Sequence, residues 1–313
     1  MNRRILASEF GTLIWKILRF FIIIGLSYVL VYPILYMASM AFRTVSDVVD
    51  PSVVWIPKHF TLEHFTYAWE QMKYLSCMST TLIMSIVGTV LQMISCSMVG
   101  YGLARFKFRS SGFWFVLVLR ALIVPAEAVT IPLYFQYKSF SIPILSPILQ
   151  YGFGILMPEF LTVNLIDSWF VFWLTAITAT GLRSGLYVYI FRNFFLNIPY
   201  EIEEAAVVDG ASYFKTFTSI MVPNAGGSYL TVFLFSIVWY WNDTFYTSTF
   251  ISDKITIAKS LSMLSSATAK LSEADATPKL LAGALLYIAP MMLMYMVLQR
   301  YFVQSVERTG IVG

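Results

Sequence analysis

Charged residues divide this chain into long apolar runs. Phe20–Phe42, Tyr74–Ala104, Thr216–Asn242 and Leu280–Gln299 carry no charged side chain. Each reaches the length of about 20 residues that an α-helix needs to cross a hydrocarbon core about 30 Å thick. These four predict membrane-spanning helices. Two further runs are interrupted: Gly112–Tyr137 holds Arg120 and Glu127, and Leu165–Leu196 holds Asp167, Arg183 and Arg192. Both read as spans whose ionisable groups face protein or water rather than lipid. Another uncharged stretch, 139–158, contains Pro143, Pro147 and Pro158 with Gly152 and Gly154. The missing backbone donors disfavour a continuous helix, so an interfacial or looped insert is expected there. The first run is too long for a signal peptide, and no small-residue cleavage site follows it; it reads as a retained helix.

Composition closes off alternatives. Of 313 residues, 58% are hydrophobic and 12% charged. That charged share is about half the usual one, so there is too little polar surface for a water-soluble protein. It is also too hydrophobic for a disordered chain. A net charge of +4 is too weak and scattered for nucleic-acid binding. Cys77 and Cys96 lie in one apolar run and read as buried thiols rather than a disulfide framework. The phosphate-cradling G-x-x-x-x-G-K-[ST] pattern does not occur, nor does a Gly-x-Ser-x-Gly elbow. His59 and His64 have no cysteine or carboxylate cluster beside them, so a metal site is not expected. An enzymatic site within the chain is not expected.

Lys and Arg near the span ends set the orientation. Arg3, Arg4, Lys16 and Arg19 precede the first span, and Arg105, Lys107 and Arg109 follow the second. They place the N-terminus inside, and six spans return the C-terminus to the same side. The expected organisation is an N-terminal helix with an extracytoplasmic segment (1–75), a five-helix core (76–304) and a cytoplasmic tail (305–313). Within the core, the segment 197–223 faces the cytoplasm.

That segment is the least apolar long stretch between two spans. Pro199 suits the first helical position. Glu201, Glu203 and Glu204 then lie where negative charge meets the positive helix end. Gly210 fits a helix stop, Ser212 can cap a second short helix, and Pro223 lies at its end. A helix-turn-helix is expected, with Ala205, Ala206 and Ala211 keeping one surface small enough to enter a partner's groove.

Glu204-Ala205-Ala206, Gly210 and Ile220-Met221-Val222-Pro223, at their spacing, resemble the EAA loop of ABC-importer permeases; Val222 stands where that pattern has Leu. The flanking FRNFFLNIPYEIEEAAVVDGAS, Trp241-Asn242-Asp243 and the C-terminal QRYFVQSVERTGIVG resemble the sugar-importing, maltose-type branch of type I permeases. WIPKHFTLEHFTYAW is similar to the extracytoplasmic loop after their first helix, whereas the material at 141–163 departs from the usual pattern. The resemblance implies an all-α integral membrane protein with six transmembrane helices, both termini cytoplasmic, and a cytoplasmic coupling helix. It implies that Glu203, Glu204, Ala205, Ala206, Asp209, Gly210, Ile220 and Pro223 couple the chain to an ATPase. It also implies a second permease subunit, two cytoplasmic ATPase subunits that bind ATP and Mg, and an extracytoplasmic solute-binding protein. The chain would need no cofactor of its own and would sit in the cell (inner) membrane, surrounded by lipid. By the same resemblance, 246–278 reaches the binding protein and Arg308–Gly313 touches the ATPase dimer.

Ionisable groups within spans are functional candidates by default. Arg120 and Glu127 are seven residues apart, which on one helix puts them on one face about 10 Å apart. Trp239, Asn242 and Asp243, beside Tyr240 and Trp241, offer the aromatic faces and hydrogen bonds that a sugar would use. Arg120, Glu127, Trp239, Asn242 and Asp243 are therefore candidate path residues. The competing readings are structural ion pairs for the first two and an interfacial aromatic belt for the others. At the level of function, the alternatives are an ABC permease for an oligopeptide or amino acid, and an autonomous secondary transporter. The internal repeats such transporters often show are not evident.

Overall fold

The computed structural model describes residues 2–140 and 163–310. In chain order the helices are α1 (Asn2–Ala41), α2 (Val45–Val49), α3 (Glu63–Gln71), α4 (Tyr74–Arg105), α5 (Ser111–Ile123), α6 (Ala126–Lys138), α7 (Phe170–Ile177), α8 (Ser184–Asn197), α9 (Tyr200–Val208), α10 (Tyr213–Thr216), α11 (Val222–Asn224), α12 (Gly226–Asn242), α13 (Phe245–Phe250), α14 (Ile257–Thr268) and α15 (Glu273–Gly310). Most of the expected insert lies outside the described residues, but its ends meet. Phe140 and Val163 exchange both backbone hydrogen bonds, at 3.0 and 2.8 Å. The expected tail from 305 continues α15 as helix to Gly310.

Two compact units form: Met1–Tyr74 with Leu261–Pro290, and Leu75–Ser260 with Met291–Gly313. Among the described residues, 3 helices are long and apolar enough to cross a membrane, in α1, α4 and α15. The number rises to 5 if each of two bent pairs counts as one span. These bends mark where the apolar runs depart from single straight helices. The run 112–137 turns by 105° between α5 and α6, where Val124 is extended and Pro125 cannot donate to the preceding turn. The run 216–242 turns by 78° between Asn224 and Gly226.

The run 165–196 is broken into α7 and α8. Asp167, Ala179 and Arg183 all have positive φ, which a helix does not permit. Threonines in the break bond locally in place of the helix ladder: the Thr178 hydroxyl donates to the carbonyls of Leu174 and Thr175. Irregular backbone at membrane depth is tolerated where protein satisfies it. Here α4 does so. Gln92 Nε2 donates to the Leu182 carbonyl at 2.6 Å and to Ser184 Oγ at 2.7 Å, and Ser95 Oγ donates to the Ala176 carbonyl at 2.5 Å. Ser236 on α12 completes the hub by donating to Gln92 Oε1 at 3.0 Å.

α4 is patterned inside out. Thr81, Ser85, Thr89, Gln92 and Ser95 are buried, while Leu75, Ile83, Ile86, Val90 and Ile94 are exposed. Lipid is as apolar as leucine, so small polar residues, which allow close approach and bond across helices, collect at the interfaces. Gly100 shows how close the approach is. A Cβ there would stand 2.7 Å from Phe191 Cβ on α8. A core of Cys96, Tyr101, Tyr187, Phe191, Phe195, Phe217 and Met221 fills the space below, and it carries the cytoplasm-assigned segment on its edge.

Candidate functional site

The expected helix-turn-helix is present. Pro199 stands at the N-cap position of α9, one before the first helical position expected for it, with Glu201 and Glu203 in the first turn. Gly210 ends the turn at φ +78°, a left-handed conformation that glycine adopts without Cβ strain. Ser212 Oγ accepts the Lys215 amide at 3.3 Å and starts α10. The helix then widens into a π-helical turn over Phe217–Met221, just before Pro223, which has no N–H for the turn preceding it.

The two adjacent glutamates face opposite ways. Glu204 is exposed, but Glu203 is buried. Glu203 Oε2 lies 3.1 Å from Arg105 Nε at the end of α4, and Glu203 Oε1 accepts the Tyr101 hydroxyl. Arg105 also donates to the Ile198 carbonyl at 2.7 Å, and its guanidinium stacks 4.2 Å from the centre of the Tyr200 ring. One side chain of α4 thus grips both the end of α8 and the start of α9. Ala206 is buried beneath α9 while Ala205 faces out. Around it are exposed Ile202, Val207, Val208, Tyr213 and Phe214, with Val208 at 86%. Asp209 and Gly210 are exposed at the turn, and Ile220 and Pro223 lie beyond it, half-buried and exposed. The result is an apolar outward face on a helix anchored from behind.

Tyr101 and Arg105 were legible only as a span end and an orientation signal. Their partner stands 102 residues away for Tyr101, a separation that no local pattern reveals. Gln92 was legible in principle, as a polar residue within an otherwise apolar span.

The candidate path residues stand on several elements: Arg120 on α5, Glu127 on α6, Trp239 and Asn242 on α12, and Asp243 just after it. Arg120 and Glu127 do not share a helix face, because the 105° bend falls between them. Both are exposed. Trp239 is also exposed and packs under the Arg183 guanidinium, 4.2 Å from its ring centre. Asn242 Nδ2 donates to the Val238 carbonyl at 2.8 Å. Asp243 caps α13: its carboxylate accepts the Thr247 amide at 2.8 Å, the Thr247 hydroxyl at 2.7 Å and the Tyr246 amide at 3.3 Å. Tyr240 and Trp241 are buried. No group of three or more His, Cys, Asp or Glu that could hold a metal occurs among the described residues.

The family described as "Binding-protein-dependent transport system inner membrane component" matches residues 96–308, which include α8, the helix-turn-helix segment and α12. The chain belongs to this family. It is therefore a multi-pass inner-membrane component of an ABC transport system, a transport subunit rather than an enzyme, and it works with other components of such a system. It is 25% identical over 305 residues to a probable ABC transporter permease protein, YurM, of Bacillus subtilis (strain 168), covering 96% of this chain and 89% of that one. It is 26% identical over 293 residues to the arabinooligosaccharides transport system permease protein AraQ of Halalkalibacterium halodurans, covering 92% and 93%. Its fold is similar to a solved bacterial ABC transporter involved in the import of the acidic polysaccharide alginate, with a TM-score of 0.70 at 18% identity, over 92% of this chain and 96% of that one.

Proposed function

We propose that this subunit of the inner-membrane system is the permease of an ATP-driven carbohydrate importer. It forms half of the translocation path beside a second, related permease subunit. Two cytoplasmic ATPases bind ATP and Mg, and an extracytoplasmic binding protein delivers the sugar. The spans are α1, α4, α5 with α6, α7 with α8, α12 and α15, which puts both termini in the cytoplasm. The observation that carries the coupling role is the exposed face of α9 and its turn, mounted on a helix whose Glu203 is held by Tyr101 and Arg105. A partner cleft that closes on Ala205, Val208 and Phe214 displaces α9, and Arg105 passes the displacement to α4. In this reading Glu204, Asp209, Gly210, Ile220 and Pro223 shape the docked surface, while Glu203 and Ala206 hold it to the body. Arg120, Glu127, Trp239, Asn242 and Asp243 remain proposed path residues; the Arg183–Trp239 stack is the element among them with a flat, polar-edged face suited to a sugar ring.

The sugar assignment draws support from relatives named for arabinooligosaccharide and diacetylchitobiose uptake. It is tested by purifying the tagged chain in mild detergent from its native membrane, identifying its partners, and screening the cognate binding protein against saccharides, oligopeptides and amino acids. Saccharide binding supports the reading. A peptide or amino-acid ligand makes the chain a permease for a different solute, and gradient-driven uptake by the chain alone contradicts the importer assignment.

A further inference from the structure

One turn of the first unit has the wrong surface for a water-facing loop. Val54 is 69% exposed and Ile56 84% exposed. The segment 53–57 reads VVWIP and carries no charge. Three of its backbone acceptors are nevertheless filled from within the protein. The buried Arg43 guanidinium donates to the Val53 carbonyl at 3.1 Å and the Val54 carbonyl at 2.6 Å. The Ser39 hydroxyl donates to the Trp55 carbonyl, and Arg43 steadies that hydroxyl at 2.8 Å. Three successive carbonyls are thus satisfied by Ser39 of α1 and by Arg43, two residues past its end.

The turn also folds back along α1 instead of away from it. The Trp55 ring meets the Tyr32 ring edge-on at 5.3 Å between centres. Tyr32 and Ser39 belong to Leu13–Ala41, the apolar, membrane-crossing part of α1. Tyr32 lies about 14 Å along the axis before Ala41, at 1.5 Å per residue. The Trp55 ring therefore reaches beside the apolar part of α1, while the backbone of the turn bonds at its end, through Ser39 and Arg43. Irregular backbone near lipid requires internal partners for its polar groups, and the carbonyls of Val53, Val54 and Trp55 have them. Paired Trp and Tyr rings with outward aliphatic side chains are what a membrane–water interface selects. The polar edge is kept apart: Lys58 turns to Asp50 at 2.7 Å and to Ser52 at 2.6 Å.

We propose that the Val53–Pro57 turn is a lipid anchor, with Val54 and Ile56 inserted among the acyl chains of the leaflet that the C-terminal end of α1 enters. The anchor fixes the depth of α1 and of the 43–73 segment that follows it. It does not depend on which side of the membrane that leaflet lies, nor on the transported solute.

The test is environment-sensitive fluorescence in the full chain, both alone in lipid nanodiscs and in its purified complex. An NBD label is attached at Ile56→Cys, with a second label position at Val54→Cys and a water-facing control at Glu70→Cys. Cys77 and Cys96 are buried, and labelling of the unsubstituted chain sets the background. The expected result is blue-shifted emission at 56 and 54, with strong quenching by lipids carrying doxyl groups high on the acyl chain and weak quenching by aqueous iodide. Glu70→Cys should show the reverse. Dominant iodide quenching at 56 and 54 would overturn the proposal in favour of a water-facing loop. Quenching by neither agent would overturn it in favour of a protein partner covering the turn.

Discussion

Replacing Glu203 by Gln removes one charge from a buried pair while keeping an acceptor for the Tyr101 hydroxyl. Arg105 is then left buried, with the Ile198 carbonyl and the Tyr200 ring but no counter-charge. Breaking a buried pair by removing one partner costs about 3–5 kcal/mol. The Tyr200 ring contact is present in both and does not enter the difference. At 1.4 kcal/mol per tenfold, a loss of about 3–5 kcal/mol localised where α9 meets α4 should accelerate amide exchange over 200–208 by roughly 140- to 4,000-fold in the full chain. Glu204→Gln, at an exposed site, should change exchange there by less than about 3-fold. In the assembled transporter, Glu203→Gln should leave ATP hydrolysis running while transport falls, because the docked helix no longer pulls on α4. If exchange over 200–208 is the same in both variants, Glu203 does not anchor the helix, and the argument from the ion pair fails.

Other outcomes follow from single positions. Gly210→Ala should cost about 1–2 kcal/mol from the left-handed backbone alone, since the space around Gly210 is open; Gly210→Asn should cost less, and equal losses would point away from backbone strain. Gln92→Leu strips partners from the Leu182 carbonyl, Ser184 and Ser236, and should cost about 1–3 kcal/mol in a detergent-denaturation titration, whereas an unchanged midpoint would mean the hub is dispensable. Gly100→Ala should cost about 1–3 kcal/mol by forcing α4 off α8, and Gly25→Ala, with nothing near it, should be neutral in the same titration. The Asp47 carboxyl is held below its ordinary value near 3.8 chiefly by the His59 backbone amide. Its stabilising contribution is therefore complete above that value and lost as pH falls through the lower folded one. Protease resistance of the 43–73 segment should hold from pH 7 down to about 4 and weaken only below, and Asp47→Asn should remove that acid-dependent step.

The parts of the fold set by local chemistry were legible in advance. Pro199, Gly210 and Ser212 each act within a few residues of themselves, and each does what its backbone or hydroxyl dictates. The uncharged runs at α1, α4 and α15 needed only length and composition. Straightness was not legible. The break between α7 and α8 rests on left-handed Ala179 and Arg183, residues with no intrinsic preference for that conformation, and on Gln92 and Ser95 from another helix. Arg120 and Glu127 were placed on one face by assuming a continuous helix, and the bend at Val124–Pro125 removes that assumption. Asp243 was legible as a path candidate, but not its bonds to Thr247, because they depend on where α13 begins. The Glu203 contacts to Tyr101 and Arg105 join residues about a hundred positions apart, and only the packing of α8 between them brings them together.

The central claim is that the outward face of α9 and its turn docks on an ATPase. It is tested most directly by placing a photo-crosslinking amino acid at Val208, and separately at Phe214, in the tagged chain within its native membrane. Leu30, equally exposed but on the apolar part of α1, serves as the control position. Illumination should yield an adduct with an ATP-binding-cassette subunit from 208 and 214 and none from 30. An intact chain in a membrane containing that ATPase, with no such adduct from either position, would contradict the coupling role.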